Sequence, residues 1–174
     1  LVQFASVEQQ IQQNANLENL IDMTASNQVG QMVSFLDKAI DYHGDQLPLS
    51  DGRAKGAYVL SEPASDVRVE IVDAAGKTVY SEPGAASVGS HAFDWDGRDG
   101  HGNVLADGVY TLSVKAVDAD GAPLDVATTV SAIVDSVESL DGRMVLMAGG
   151  AAVGLDQVVG IGRGGPTLGG HAAA

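Results

Sequence analysis

Apolar residues recur at spacings of two to four over the first forty positions, which is the pattern of an amphipathic helix. Ser6 followed by Gln9 fits a capping box, in which each side chain satisfies a backbone amide at a helix start. The opposite face is rich in glutamine and asparagine. We therefore predict a helix over residues 5–40. The residues that mark its apolar stripe are Val7, Ile11, Leu17, Leu20 and Ile21.

From about residue 39 the helical spacing gives way to strict alternation, which is typical of strands. In residues 67–71 valine and isoleucine alternate with arginine and glutamate, so one face of that strand should contact water. DAAG at 73–76 and DADG at 118–121 predict hairpin turns in which glycine supplies a positive φ. About eight or nine short strands favour antiparallel all-β domains, as a sandwich or a small barrel. The tail after Gly160 has little to bury and is expected to be disordered.

Composition narrows the classes of function. The 174-residue chain carries a formal net charge of −14, so we expect no binding to nucleic acid or to anionic membranes. It has no cysteine, which excludes disulfides, thiolate metal ligands and cysteine nucleophiles. No apolar run reaches the roughly 18 residues of a membrane span. The start at Leu1 lacks the charged segment of a signal peptide, so we expect a processed piece with an upstream region missing.

Aspartate and glycine are concentrated around the single tryptophan, in FDWDGRDGHGNVLADGVYTLSV at residues 93–114. Asp94, Asp96 and Asp99 have the spacing of part of a calcium loop. However, Arg98 stands where a further ligand is due, and no glutamate follows within reach. The spacing therefore argues against a metal site.

The alternative is that this segment turns a corner between strands. Phe93 and Trp95 would anchor one strand in the core. Asp96-Gly97 and Asp99-Gly100 would then form tight turns whose carboxylates accept hydrogen bonds from backbone amides. We predict this structural role.

The remaining motifs lack the context that their chemistry requires. G-x-G-x-x-G at residues 160–165 is followed by proline and more glycine rather than by a helix. The GKT triplet at residues 76–78 lacks the first glycine of a P-loop and precedes a strand. The four histidines are far apart, and no G-x-S-x-G occurs. We expect no catalytic residue, no cofactor and no metal.

The predicted helix is the strongest candidate for a binding element. Its stripe is narrow and its other face is polar, so it needs a partner surface. That surface is either the chain's own β domain or a second subunit. Glutamine and asparagine favour the second, because they form hydrogen bonds across an interface without the desolvation cost of charges.

Three segments, taken in order, resemble the flagellar hook-capping family, also called hook assembly or basal-body rod modification proteins. QFASVEQQIQQNANLENLI at 3–21 is similar to the family's glutamine- and asparagine-rich helix. The residues from 89 to 121 resemble its turn of an aromatic before Trp-Asp-Gly, followed by Asp-Gly-x-Tyr, and residues 130–161 resemble its closing strands. The positions that carry the structural signature are Phe93, Trp95, Asp96, Gly97, Gly102, Asp107, Gly108 and Tyr110.

The resemblance implies a mainly β fold with an N-terminal helix. The implied parts are a helical segment at 1–36, a fibronectin-III-like sandwich at 61–126, a tudor-like (SH3-like) barrel split between 37–60 and 127–161, and a flexible tail at 162–174.

The resemblance also implies a non-enzymatic scaffold that forms an oligomeric cap at the tip of the growing hook. Such a cap is exported by the flagellar type III apparatus through its upstream region, directs hook protein into place and is absent from the finished flagellum. The implied partners are hook protein, further copies of the chain and the export apparatus. The alternative from another class is an extracellular β-sandwich module that binds carbohydrate or calcium, which would need an exposed aromatic or an ion site.

Overall fold

The structure is a computed structural model that describes residues 12–13 and 30–162. The chain divides into two units, Leu1–Ser34 and Phe35–Ala174. In the first unit, residues 12–13 and 30–33 are helical. Within the described part of the chain, no helix is long and apolar enough to cross a membrane. The predicted stripe of Val7, Ile11, Leu17, Leu20 and Ile21 lies outside the described residues, as does most of the predicted tail.

The second unit is built almost entirely of β-strands, so the prediction of a mainly β fold is confirmed. A short 3-10 helix, Leu155–Gln157, precedes the last strand. In chain order the strands are β1 (Ala39–His43), β2 (Gln46–Leu49), β3 (Ala54–Leu60), β4 (Asp66–Val72), β5 (Thr78–Pro83), β6 (Gly89–Trp95), β7 (Gly108–Val117), β8 (Pro123–Leu124), β9 (Val126–Leu140), β10 (Arg143–Ala148), β11 (Ala151–Val153) and β12 (Val158–Gly162).

The predicted helix was too long at its C-terminal end. The helical residues end at Val33, and β1 begins at Ala39. Asp37 between them has a φ of 58°, which a right-handed helix does not allow. Ile40, which we expected at the end of the helix, is instead fully buried in β1. Apolar spacing alone does not distinguish the last turn of a helix from a turn followed by a buried strand.

The strands form two antiparallel sheets. One has the order β11-β10-β9-β1-β12, with β3 paired to β9 and β6 paired to β3. The other has the order β2-β7-β4-β5, with β8 paired to β7. The 15-residue strand β9 pairs with β3 and β1 in its first half and with β10 in its second half. It therefore connects two groups of strands within one sheet.

The pairing of β2 and β3 bears on the predicted division into barrel and sandwich. We assigned residues 37–60 to the barrel, but β2 pairs with β7 and β3 pairs with β6, which are strands of the predicted sandwich. β3 also pairs with β9, most of which we assigned to the barrel. Local alternation does not specify which distant strand becomes the partner. The division into a barrel at 37–60 and 127–161 and a sandwich at 61–126 stays a prediction.

The hydrophobic core lies between the two sheets of the sandwich. In β4, the alternating residues Val67, Val69 and Ile71 are at most 2% exposed, as the pattern predicts. The sheets approach closely at Gly56 of β3, where an added Cβ would lie 3.1 Å from the Cδ2 atom of Leu112 in β7. Close packing of this kind fixes the positions of the strand ends, and hence of the loop that follows β6.

Candidate functional site

Trp95 is the centre of the loop region that the sequence analysis singled out. It ends β6, is 1% exposed, and contacts aromatic rings from the opposite sheet. Its ring centroid lies 5.1 Å from that of Tyr110, edge to face, and 6.3 Å from that of Tyr80. Its Nε1 donates a hydrogen bond to the carbonyl oxygen of Arg98 at 2.8 Å. The indole therefore connects both sheets to the loop that follows it.

Tyr110 holds the other end of this loop. Its hydroxyl donates to the carbonyl oxygen of Ala106, four residues upstream, at 2.8 Å. This is the arrangement of a tyrosine corner, in which a tyrosine at the start of a strand binds the backbone just before it. The amide of Leu105 donates to the carbonyl oxygen of Gly97 at 2.8 Å. The segment 96–107 is thus closed on itself.

Asp107 connects this loop to the turn between β2 and β3. Its two carboxylate oxygens accept hydrogen bonds from the amides of Asp51, at 3.1 Å, and Gly52, at 3.2 Å. Gly97 approaches the same turn, since a Cβ on Gly97 would lie 3.2 Å from the carbonyl oxygen of Gly52. Gly97 also has a φ of 69°. A side chain there would meet both strain and crowding.

The same five-residue turn occurs three times, at residues 73–77, 99–103 and 118–122. In each turn one carboxylate oxygen of the first residue, aspartate, accepts from the amides of the third and fifth residues at 2.8–2.9 Å. The fourth residue is a glycine with a φ between 80° and 86°. The first residue also donates its amide to the fifth carbonyl oxygen at 2.9 Å. The spacing Asp-x-x-Gly thus encodes one turn geometry.

The turn predicted at Asp99-Gly100 has its left-handed glycine two residues later than expected. The residue with the positive φ is Gly102, at 86°, and Gly100 has an ordinary backbone conformation. Gly100 instead donates its amide to the carbonyl oxygen of Val79 in β5, at 3.0 Å. The turn therefore lies against the edge of the second sheet.

We refer to the signature positions as the Trp95 corner. The structure places all of them in this one region between β6 and β7, with Phe93 5% exposed on the same buried side of β6 as Trp95. Tyr80 and Arg98 contact the Trp95 corner through Trp95, although the sequence pattern indicated no structural role for them. Tyr80 could have been predicted from the hairpin of β4 and β5, because it pairs with the buried Ile71 in the neighbouring strand. The members of the Trp95 corner are Phe93, Trp95, Asp96, Gly97, Gly102, Asp107, Gly108 and Tyr110.

Three ionisable groups in and beside the Trp95 corner, Asp99, Tyr80 and Tyr110, have shifted pKa values. Hydrogen bonds from the side chain and amide of Asn103 are the main causes that lower the pKa of Asp99. The hydrogen bond to Glu82, followed by burial, raises the pKa of Tyr80 to about 12. Burial, assisted by nearby Asp73, raises the pKa of Tyr110. These shifts move away from the neutral range in which acid–base catalysts operate.

The loop carboxylates are engaged by neighbouring protein groups. Asp94 pairs with Lys55 at 4.0 Å, and Asp96 pairs with Arg98 at 3.7 Å. Asp99 accepts from backbone amides, as described above. Across residues 12–13 and 30–162, no group of three or more histidine, aspartate or glutamate side chains is placed to share a metal ion. The indole of Trp95 is 1% exposed, so its ring offers no open face on which a sugar could stack.

These features define a class of protein: an antiparallel two-sheet β protein in which aromatic and aspartate side chains build a corner between the sheets. A family model described as FlgD Ig-like domain matches residues 44–120. The match begins just before β2 and ends in the turn after β7, so it includes the Trp95 corner.

Solved structures extend the match beyond that domain. FlgD from Xanthomonas campestris, whose description concerns hook capping in flagellar assembly, is 31% identical, with a TM-score of 0.64. The match covers 78% of this chain and 99% of that one. FlgD from P. aeruginosa is 27% identical, with a TM-score of 0.63, over 74% of this chain and 98% of that one. Comparison with curated protein sequences finds no match. The chain belongs to the FlgD family of hook-capping proteins.

Proposed function

We propose that this protein is a non-enzymatic scaffold that caps the growing flagellar hook and directs the assembly of exported hook subunits. The observation that carries the proposal is the 31% identity to the Xanthomonas campestris hook-capping protein over nearly its whole length. The fold supports it, because the Trp95 corner uses its polar groups to connect loops to one another. The outer faces and the edges of the sheets are therefore the surfaces that remain available to bind other proteins.

The exposed apolar residues of the first sheet support a role in protein binding. Ile133 of β9 and Val159 of β12 are both 53% exposed and line the same hollow as Ala92 of β6. Large apolar side chains at the surface of a folded domain are a frequent feature of interaction sites when they lie close together. We propose that hook protein is the partner of this surface.

The proposal also covers how copies of the chain assemble into a cap and where that cap is located. We propose that the stripe of Val7, Ile11, Leu17, Leu20 and Ile21 joins copies of the chain into the cap. We further propose export by the flagellar type III apparatus through an upstream region, and a position at the extracellular tip of the hook until the hook is complete. The absence of cysteine supports export, because a chain without disulfides can refold outside the cell without an oxidant.

Sedimentation analysis of the chain with and without purified hook protein tests the proposal. We expect a complex with hook protein, and oligomers of the chain alone that Leu17→Asp combined with Leu20→Asp converts to monomers. Gln13→Glu combined with Asn16→Asp adds the same charge to the polar positions, and it should leave the oligomers intact. No complex with hook protein would contradict the scaffold function, whereas unchanged oligomers in the leucine variant would contradict only the role of the stripe.

A further inference from the structure

We propose that β6 is an open sheet edge that accepts an extended segment of hook protein as an additional strand. The partner segment would pair with β6 and continue the first sheet beyond it. This inference rests on the proposed function, since it names where on the scaffold the hook subunit binds.

The geometry of β6 is that of an unoccupied edge. It pairs with β3 on one side from Gly89 to Trp95, in a register without any shift. On its other side it pairs with no strand of the described residues. Its sequence, GSHAFDW, contains neither lysine nor proline. A regular edge of seven residues presents unpaired amides and carbonyls, which is a template for strand addition.

The other edges of the two sheets carry features that prevent strand addition. β5 has a bulge in its pairing with β4, ends in Pro83, and receives a hydrogen bond on Val79 from the loop of the Trp95 corner. β2 has four residues and contains Pro48, whereas β8 has two and begins with Pro123. β11 has three residues, and β12 has a bulge in its pairing with β1. The second half of β9, which pairs only with β10, has a bulge in that pairing. Among the edges that the structure describes, β6 combines seven residues with regular pairing and no proline, and its one charged side chain, Asp94, lies 4.0 Å from Lys55 of β3.

The outer face beside β6 has room for the side chains of an added strand. Ser90 and Ala92 are exposed on this face, and Ala57 of β3 and Thr129 of β9 lie in line with Ala92 across the sheet. These small residues line a shallow cavity of about 700 Å³. The opposite face of β6 is filled by Phe93 and Trp95 in the core. An added strand would therefore gain side-chain contacts on the outer face.

Charge at the Trp95 end of β6 indicates what kind of segment fits. Asp94 and Asp96 lie there with side chains 59% and 68% exposed, and the nearby Lys55 and Arg98 only partly balance the acidic groups around this edge. Glu82 of β5 and Asp99 line the two hollows beside the same edge. A second copy of a chain with net charge −14 would bring a like-charged edge, which disfavours self-pairing. The fitting segment has uncharged side chains beside Ala92 and a lysine or arginine near Asp94.

Hydrogen exchange of the full chain with purified hook protein tests this inference. We expect the amides of residues 89–95 that point away from β3, about every second one, to exchange at least about tenfold more slowly in the complex, because an added strand hydrogen-bonds the free edge. Ala92→Lys should weaken binding about tenfold or more, since lysine on an edge strand opposes pairing. The matched control is Ala127→Lys, which adds the same charge to an exposed alanine on the same face of β9 and should change affinity less than about twofold. Trp95 fluorescence confirms that both variants are folded.

The outcomes separate the inference from the function on which it rests. A complex in which residues 89–95 exchange as fast as in the free chain overturns the β6 site and leaves the scaffold function standing. Absence of any complex overturns both. Slower exchange of β6 in the chain alone, increasing with its concentration, shows that a second copy occupies the edge and overturns the assignment to hook protein. If Ala92→Lys and Ala127→Lys weaken the binding of hook protein equally, the β6 site is also overturned. The added charge, and not its position on the sheet edge, would then explain the loss of affinity.

Discussion

Three glycines of one loop give a stepwise test of how the Trp95 corner is built. Gly100 has an ordinary backbone conformation, and an added Cβ would have no neighbour within 4 Å. Gly102 has a φ of 86° and the same open space. Gly97 has a φ of 69°, and its added Cβ would lie 3.0 Å from Leu49 Cδ1 and 3.2 Å from the carbonyl oxygen of Gly52. Alanine at position 100 should therefore introduce neither strain nor crowding. Alanine at position 102 should introduce backbone strain, and alanine at position 97 both backbone strain and crowding.

The three substitutions should destabilise the fold in that order. Gly100→Ala should leave the free energy of unfolding unchanged or raise it by about 0.5 kcal/mol, because it restricts the unfolded chain. Gly102→Ala should lower it by about 1–2 kcal/mol, the cost of a left-handed conformation for an L-residue. Gly97→Ala should lower it by about 2–4 kcal/mol, because the 1%-exposed Leu49 has little space in which to move away.

Urea unfolding followed by Trp95 fluorescence measures all three values on the β unit. A loss of 1 kcal/mol also lowers the melting temperature by about 2–4 °C in a chain of this size. Equal stabilities for the Gly97 and Gly102 variants would refute the close approach to the turn between β2 and β3. A Gly100 variant that is the least stable of the three would refute the assignment of the left-handed position to Gly102.

Three further predictions concern the contacts of the same corner. Trp95→Phe should lower the free energy of unfolding by about 1–3 kcal/mol, since it leaves the Arg98 carbonyl without its donor, and calorimetry measures the change. Tyr110→Phe should lower it by about 0.5–1.5 kcal/mol through loss of the bond to Ala106; a larger loss than that for Trp95→Phe would contradict this ranking. The pKa of Asp99 is lower in the folded than in the unfolded state, so the ionised carboxylate stabilises the fold. This stabilisation is complete above the unfolded pKa and is lost as pH falls through the folded pKa. Asp99→Asn should therefore be less stable than the parent chain at neutral pH, and denaturant titrations should show that difference shrinking in acid.

Much of the fold was predictable because its determinants are local. The alternation of Val67, Val69 and Ile71 specifies a buried face, and Asp-x-x-Gly specifies a turn through bonds within five residues. β2 was not predicted, because Pro48 is excluded from central strands and is tolerated only at a sheet edge that the local sequence does not reveal.

The parts of the site that were missed depend on distant contacts. The bond from the Asp51 amide to Asp107 joins residues 56 positions apart, and no spacing rule connects them. The openness of β6 is likewise a property of the whole sheet, because it depends on which strands pair elsewhere. The position of Trp95 in the core was predictable from alternation with Phe93.

Calorimetric titration of the chain with purified hook protein, in buffer that contains a calcium chelator, tests the central claim most directly. The account predicts saturable binding that the chelator does not change and that Asp96→Asn combined with Asp99→Asn retains, because these carboxylates build turns and do not hold an ion. Binding that requires calcium and is abolished by the double variant, while the chain stays folded, would contradict the account.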